Sequence, residues 1–240
     1  MKNTTAHIDL DTTYILWWGS SAYTLSSDMR ESLTHILTTS GVKYICVEEC
    51  DCSEELRYRG DEYTFEICAR RNIDTITRSG LKHIITPCPH SYNVIKGYYT
   101  AMGLDIEVYH HSDFIAALIS QDLLPIKKAL EKKRITYHDP CRLSRIGKTD
   151  AVRYILNHLG ATLIEAPHHS RMSICCGGGA FLDTSSIPVK VSIMRYEQLL
   201  STASDVIITA CPVCHDMLLS ARNEDSTIIK DIAILVAECI

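Results

Sequence analysis

The sequence has no apolar run long enough to cross a membrane and no export signal. Its first eleven residues are polar and lack the apolar centre of a secretory signal. Its longest apolar stretches, such as 228–236, are interrupted by charged residues and fall short of the roughly 20 residues that span a bilayer. We therefore expect a cytoplasmic protein with no transmembrane segment of its own, whose route to a membrane would be peripheral, through partner subunits.

The chain also has no concentration of positive charge. Its 24 Lys and Arg residues are mixed with 29 Asp and Glu residues, which gives a formal net charge of −5 at pH 7. Proteins that bind nucleic acid usually carry a basic patch or stripe. We therefore expect no nucleic-acid partner.

Cysteine is the residue that the chain has in excess, with eleven in 240 residues. Without an export signal a disulfide framework is the weaker explanation, and an odd number cannot pair completely. Metal binding or thiol chemistry explains the excess better. Cys46, Cys68 and Cys239 lie on apolar faces of predicted strands or helices, so we expect them to be core thiols that behave as small apolar side chains.

Short apolar runs alternate with amphipathic stretches along the chain. The pattern predicts a strand at 42–47, a helix at 62–79 that stops at Gly80, and another strand at 83–86. The same alternation returns after residue 134. Strand–helix–strand alternation favours parallel sheets covered by helices, so the predicted fold class is α/β.

Two segments of the chain resemble each other. SGLKHIITPCPHSYNVIK at 79–96 is similar to SDVIITACPVCHDMLL at 204–219. Each segment has a short β-rich run followed by Thr-x-Cys-Pro. This similarity indicates an internal repeat.

The spacing of the upstream cysteines supports the repeat. Cys52 precedes Cys88 with 35 residues between them, and Cys176 precedes Cys211 with 34. The repeat predicts two similar Rossmann-like lobes, each a small parallel sheet covered by helices. The predicted lobes cover residues 1–110 and 111–240.

Five cysteines of the second half lie at or near the ends of predicted strands. Cys141 follows one strand, Cys175 and Cys176 lie in a glycine-rich loop, and the Cys-x-x-Cys motif of Cys211 and Cys214 lies at a strand-to-helix turn. Ligand sites of open parallel sheets gather beyond the carboxyl ends of the strands. We therefore expect the five thiols to meet in one crevice.

The chemistry of these residues fits a metal centre. Thiolates are soft anionic ligands that suit iron–sulfur clusters and zinc. A Cys-x-x-Cys at a helix start brings two sulfurs to one metal, and the free N–H groups there favour the thiolate. Gly177 to Gly179 let the backbone approach a bulky cluster and donate hydrogen bonds to its sulfurs. The residues alone leave two other interpretations open, a four-ligand zinc site and a redox pair at Cys211 and Cys214.

The order of the motifs resembles the cysteine-rich CCG domain family. The motifs are HDPCRLSR, MSICCGGGAFL and ITACPVCHDML. The family includes the B subunit of heterodisulfide reductase, the related D subunit, and iron–sulfur subunits of glycolate and lactate oxidation. The resemblance implies a non-cubane [4Fe–4S] cluster at which thiol–disulfide chemistry occurs. By position, the implied ligands are Cys141, Cys175, Cys176, Cys211 and Cys214.

The resemblance also suggests residues for the reaction itself. Cys176 and Cys211 are candidates for the thiol–disulfide step. His138 is a candidate donor of the proton that a departing thiolate needs, with a solvated surface histidine as the alternative. Arg142 and Arg145 either attract an anionic substrate or serve only at the surface.

The first half departs from the family pattern. It has Ser20 where the family has a cysteine, and Ser91 where the Cys-x-x-Cys motif has its second cysteine. Three thiols remain as candidate ligands, for a zinc ion or for a cluster. They are Cys50, Cys52 and Cys88. The alternative is a relic lobe that keeps only the fold.

Three functions follow as hypotheses. The first is a protein like the B subunit of heterodisulfide reductase, which transfers electrons and performs thiol–disulfide chemistry. Because the chain lacks the Cys-x-x-Cys-x-x-Cys run of ferredoxins, its electrons would come from a ferredoxin-like partner subunit resembling heterodisulfide reductase C. The second is an iron–sulfur or zinc-binding assembly subunit of a flavin-dependent succinate, glycolate or lactate dehydrogenase, with a flavoprotein partner. The third is a zinc-held thiol protein without a redox metal.

Overall fold

The computed structural model describes residues 7–19, 27–47, 51–179, 186–222 and 227–240. These residues form two four-stranded parallel sheets with helices packed against them. The predicted α/β fold with an internal repeat is therefore confirmed.

The first sheet has the spatial order β2-β1-β3-β4. Its strands are β1 (Thr13–Leu16), β2 (Lys43–Cys46), β3 (His83–Thr86) and β4 (Glu107–His110). The helices of this part of the chain are α1 (Ser27–Thr39), α2 (Glu54–Tyr58), α3 (Glu62–Ser79), α4 (Pro89–Val94) and α5 (His111–Ser120). Helix α4 continues into a π-helical turn, Ile95–Tyr99.

The second sheet has the order β6-β5-β7-β8, which is the order of the first sheet repeated four strands later. Its strands are β5 (Arg134–Tyr137), β6 (Thr162–Leu163), β7 (Val206–Thr209) and β8 (Ile228–Asp231). The helices are α6 (Cys141–Ser144), α7 (Asp150–His158), α8 (Ile187–Leu200), α9 (Pro212–Ala221) and α10 (Ile232–Ala237), with a short 3₁₀ turn at Ser170–Met172.

Local sequence signals explain the clearest elements. Helix α3 begins where the Asp61 side chain accepts the N–H of Thr64, and it ends at Gly80, which has a φ of 70°. The sequence predicted the bounds of this helix, because a capping residue and a glycine mark them. Strand β7 is buried along its whole length, as expected of a central strand in a parallel sheet covered on both faces.

A shared apolar core joins the two lobes. Helix α10 of the second lobe packs against α1 of the first, and α5 packs against α7. One buried cluster therefore contains residues of both lobes, such as Leu33 and Ile155. A buried hydrogen-bonded pair also connects the ends of the two sheets, because Nε2 of His111, the residue after β4, lies 2.9 Å from Oδ1 of Asp231, the last residue of β8. We infer that the lobes fold against each other rather than as separate units.

The lobe boundary between residues 110 and 111 stays a prediction. The first sheet ends at His110 and the second begins at Arg134, with α5 between them. Within the described residues, no helix combines the length and the apolar character that a bilayer crossing requires.

The prediction that Cys46 is a core thiol is wrong, because its side chain is exposed. The residue lies on β2, which is an edge strand whose four residues are exposed or half-buried. Cys239 is buried in the shared core as predicted, and Cys68 is half-buried on α3.

The shared core leads to a stability prediction for α1. Leu33 is fully buried in the cluster that spans both lobes. Leu33→Ala should lower the free energy of unfolding by about 2–5 kcal/mol, because it leaves a cavity. His35→Ala, on the exposed face of the same helix, is the control and should cost less than about 0.5 kcal/mol. Urea unfolding followed by circular dichroism measures both, and equal midpoints for the two variants would contradict the shared core.

Candidate metal centre

The structure brings the five cysteines of the second half to one small cavity. Cys141 is the first residue of α6, just after β5, and Cys211 is the N-cap of α9, just after β7. Strands β5 and β7 are neighbours in the sheet, so their following turns lie side by side. Cys175 and Cys176 approach from the loop between β6 and α8. The cavity is lined by all five cysteines, Cys141, Cys175, Cys176, Cys211 and Cys214.

Two pairs of sulfur atoms are already close. Sγ of Cys141 lies 3.9 Å from Sγ of Cys175, and Sγ of Cys176 lies 3.3 Å from Sγ of Cys214. Cys211 packs with the second pair in a buried cluster. Three thiols thus form a closed inner side, whereas Cys141 and Cys175 are half-buried.

An open pocket of about 290 Å³ lies on the side of the half-buried thiols. Cys141 and Cys175 line it, and Arg142 and Arg145 contribute positive charge. Its remaining wall is mostly apolar, from Tyr58, Ile187, Pro188 and Val191. The pocket gives a small molecule access to two of the five sulfurs.

Two glycines of the Cys-Cys-Gly-Gly-Gly loop are required by the packing. Gly177 has a φ of 90°, and a Cβ there would collide with the backbone carbonyl oxygen of Pro188. A Cβ on Gly178 would collide with the side chain of Val213. The N–H of Gly177 also donates to Sγ of Cys175 at 3.3 Å. The loop therefore places backbone N–H groups against the sulfurs because it carries no side chains.

Asp139 ties the turn of Cys141 to the loop of Cys175. Its buried carboxylate accepts two hydrogen bonds from Arg153, at 2.7 and 2.9 Å, and one from the N–H of Ser170 at 2.7 Å. Its role was not predicted from the sequence, although the residue lies inside the His-Asp-Pro-Cys motif that pointed to the site. Asp139 thus fixes the geometry between two of the predicted ligands.

His138 is fully buried next to the inner thiols, which excludes the surface alternative. One of its ring nitrogens lies within 4.8 Å of Sγ of both Cys176 and Cys214. Nε of Arg195, another fully buried residue, donates to Nδ1 of His138 at 3.1 Å. Burial and the charge of Arg195 lower the pKa of His138 to about 3, so the imidazole is neutral at physiological pH.

The surroundings divide the five thiols into two groups. Hydrogen bonds from the thiols of Cys141 and Cys176, together with loop N–H groups, lower the pKa of Cys175. Burial alone would raise the pKa of Cys211, but hydrogen bonds from Cys214 and from backbone N–H groups of α9, and a nearby histidine, lower it to about 7. Hydrogen bonding to the neighbouring sulfurs raises the pKa of the other three. Metal binding at this centre therefore has to release protons.

The first lobe supplies part of the wall of this cavity. His90 lines it and is the histidine that helps to lower the pKa of Cys211. Nδ1 of His90 lies 2.5 Å from Oε2 of Glu54, and Glu54 is also 3.3 Å from the guanidinium of Arg142. His90 lies two residues after Cys88 in the sequence, and nothing in the sequence indicated that it lies near a cysteine of the second lobe.

The cysteines of the first lobe are less completely described. Cys52 and Cys88 are buried close to each other, and burial raises the pKa of Cys52. Cys50 and Ser20 lie outside the described residues. Within the described part of the chain, the one group of three side chains close enough to share a metal ion belongs to the second lobe, and it consists of His138, Cys176 and Cys214.

Two relatives of this chain among known proteins are much longer than it is. A probable membrane-anchored ferredoxin from Chromohalobacter salexigens is 35% identical over 93% of this chain and 35% of its own length. An EtfAB:quinone oxidoreductase from Syntrophomonas wolfei is 33% identical over 85% of this chain and 30% of its own length. The chain thus spans about a third of these relatives.

Further matches agree with the family resemblance and with the fold. The D subunit of a dihydromethanophenazine:CoB–CoM heterodisulfide reductase from Methanosarcina mazei is 29% identical over 85% of this chain and 53% of its own length. The crystal structure of a hypothetical protein from Helicobacter pylori superposes with a TM-score of 0.67 at 14% identity, over 94% of this chain and 49% of that one. The latter match supports the fold alone.

The sequence model of the cysteine-rich domain, CCG, matches this chain twice. The matches cover residues 19–96 and 135–219, one in each lobe. Together they span well over half of the chain, and the second contains all five converging cysteines. The chain therefore belongs to the cysteine-rich CCG domain family, as its motifs predicted.

Proposed function

We propose that this chain is an iron–sulfur subunit of an oxidoreductase and that the five cysteines of the second lobe hold its cluster. The observation that carries the proposal is the convergence of five thiols on one cavity lined by a side-chain-free glycine loop. The relatives named as a ferredoxin and as reductases support the same chemistry. A single zinc ion uses four ligands, so it would leave one of these thiols without a role.

The donor set fits an iron–sulfur cluster in two further ways. Every converging ligand is a thiol, which is the usual ligand of such clusters. Five thiols also exceed the four that an ordinary [4Fe–4S] cluster takes, so we propose the non-cubane type. The inner side is closed by Cys176, Cys211 and Cys214, which shields that face from water.

The open pocket suggests where a substrate would bind. The finer proposal is an activity like that of the B subunit of heterodisulfide reductase, in which a disulfide is reduced to two thiols by two electrons and two protons. When bound, the cluster would supply the electrons, which a ferredoxin-like or flavoprotein partner has to deliver. The chain's own contribution is to bind and orient the disulfide, with its sulfurs towards Cys141 and Cys175 and any anionic group near Arg145.

A second candidate is electron transfer from a flavoprotein to a quinone, without disulfide chemistry. The name of the Syntrophomonas wolfei relative, EtfAB:quinone oxidoreductase, favours it. Purification of the native complex distinguishes the two candidates. A flavoprotein or quinone-reactive partner supports electron transfer, and turnover of a disulfide by the purified complex supports the first candidate.

Anaerobic metal analysis tests the centre. The chain should contain about four iron and four acid-labile sulfide ions. Cys176→Ser should lose most of both, because it removes a buried ligand, whereas Cys68→Ser on α3 should keep them. Zinc in place of iron, with no sulfide, would contradict the proposal.

The glycine loop gives a steric test of the same site. Gly177→Ala should lower the iron content several-fold, because its Cβ would collide with backbone at a positive φ. Gly97→Ala, in the π-helical turn after α4 and outside the site, is the control, since a Cβ there would meet no side chain within 4 Å. Iron and sulfide analysis of both variants checks this expectation, which equal iron contents would refute.

The cysteines of the first lobe can be tested separately for metal binding. We propose that it holds no second cluster, and that a zinc ion there would have to use Cys52 and Cys88, with Cys50 as the predicted third ligand. The double variant Cys52→Ser/Cys88→Ser should therefore keep the iron and sulfide of the unmodified chain. A fall in iron by half would instead reveal a second cluster, and loss of bound zinc would locate a zinc site.

A further inference from the structure

His138 and Arg195 form a buried pair directly beside the inner thiols. Both side chains are fully buried, and Nε of Arg195 donates to Nδ1 of His138 at 3.1 Å. The guanidinium is itself held in place, because its Nη1 donates to the carbonyl oxygen of Pro167 at 2.8 Å and to Oε1 of Gln198 at 2.9 Å. The orientation of the imidazole is therefore fixed by the protein.

This contact determines which nitrogen of His138 carries the proton. An arginine can only donate, so Nδ1 of His138 must be the acceptor. A neutral imidazole has one acceptor and one donor, so Nε2 carries the hydrogen. Neither nitrogen then offers a lone pair to a metal, although His138 lies close enough to Cys176 and Cys214 to be taken for a ligand.

The N–H of Nε2 has no hydrogen-bond partner among the described residues. The same is true of Nη2 of Arg195. Burying a donor without a hydrogen-bond partner costs free energy of folding. We therefore expect this N–H to donate to a ligand that is bound in the working protein. Sγ of Cys176 and Sγ of Cys214 are acceptors that lie within 4.8 Å of a ring nitrogen of His138, and sulfur bound to iron accepts hydrogen bonds.

We propose that His138 donates a hydrogen bond from Nε2 to sulfur of the cluster at Cys176 and Cys214, and that Arg195 is a positioning residue that fixes this tautomer. The proposal rests on the proposed iron–sulfur function. It replaces the predicted proton-donor role of His138, because this imidazole keeps its hydrogen. A hydrogen bond to cluster sulfur stabilises the more negative, reduced state and so raises the reduction potential.

The first test does not depend on iron. The metal-free 240-residue chain is prepared without oxygen with ¹⁵N-labelled histidine, and the ring nitrogens are observed by NMR, with His138→Gln to assign the signals. We expect His138 to be the Nε2–H tautomer, and Arg195→Met to produce a mixture of tautomers. A Nδ1–H tautomer or a doubly protonated ring in the unmodified protein would overturn the proposal.

The second test uses the iron-loaded protein. His138→Leu removes the donor, so it should keep its iron but shift the one-electron equilibrium of the cluster about tenfold towards the oxidised form, a drop of about 59 mV. His138→Gln retains an N–H and should recover most of the potential. His35→Leu, at an exposed position of α1, is the control and should match the unmodified protein.

The outcomes separate this proposal from the proposed function. Loss of iron in His138→Leu with the fold retained, or an unchanged potential, would overturn the hydrogen-bond role. Absence of iron from the unmodified protein would instead refute the proposed function, and the NMR tautomer would still decide the role of Arg195. If His138→Leu does not fold, the reduction potential of Arg195→Met tests the proposal instead. This variant leaves the imidazole in place and should lower the potential of the cluster without loss of iron.

Discussion

The position of β5 beside β7 is the constraint on which the metal centre depends. Two parallel strands that are neighbours end at the same edge of their sheet, so the turns after them lie together. Cys141 follows one strand and the Cys211–Cys214 motif follows the other, while the Cys175–Cys176 loop closes over both. Asp139 then connects this loop to the turn of Cys141. Five thiols meet because the sheet is parallel and not because the cysteines are close in sequence.

The repeat explains why the first lobe contributes to the site of the second. The two sheets have the same strand order, α10 packs against α1, and α5 packs against α7, so the lobes form one packed body. The strand-to-helix turn that carries Cys211 in the second lobe corresponds to the turn that carries Cys88 in the first. His90 lies in that first-lobe turn and lines the same cavity as Cys211. Its Nδ1 is hydrogen-bonded to Glu54. The first lobe thus gives support to the centre although it lacks two of the family's cysteines.

Much of this could be predicted from sequence, since local signals were strong. Helix α3 and strand β3 have the predicted bounds, because glycine, proline and short apolar runs mark them. The five cysteines stood out by their spacing. What the sequence could not predict depends on distant contacts, namely the Arg195–His138 pair, the reach of His90, and the exposure of Cys46 on an edge strand.

We propose that the second lobe binds iron through sulfur alone, with His138 as a neighbour and not a ligand. The most direct test is X-ray absorption at the iron edge, on the 240-residue chain purified without oxygen. We expect a first shell made only of sulfur, with short iron–iron distances from a cluster. A nitrogen in the first shell, or a chain that holds zinc and no iron, would contradict it.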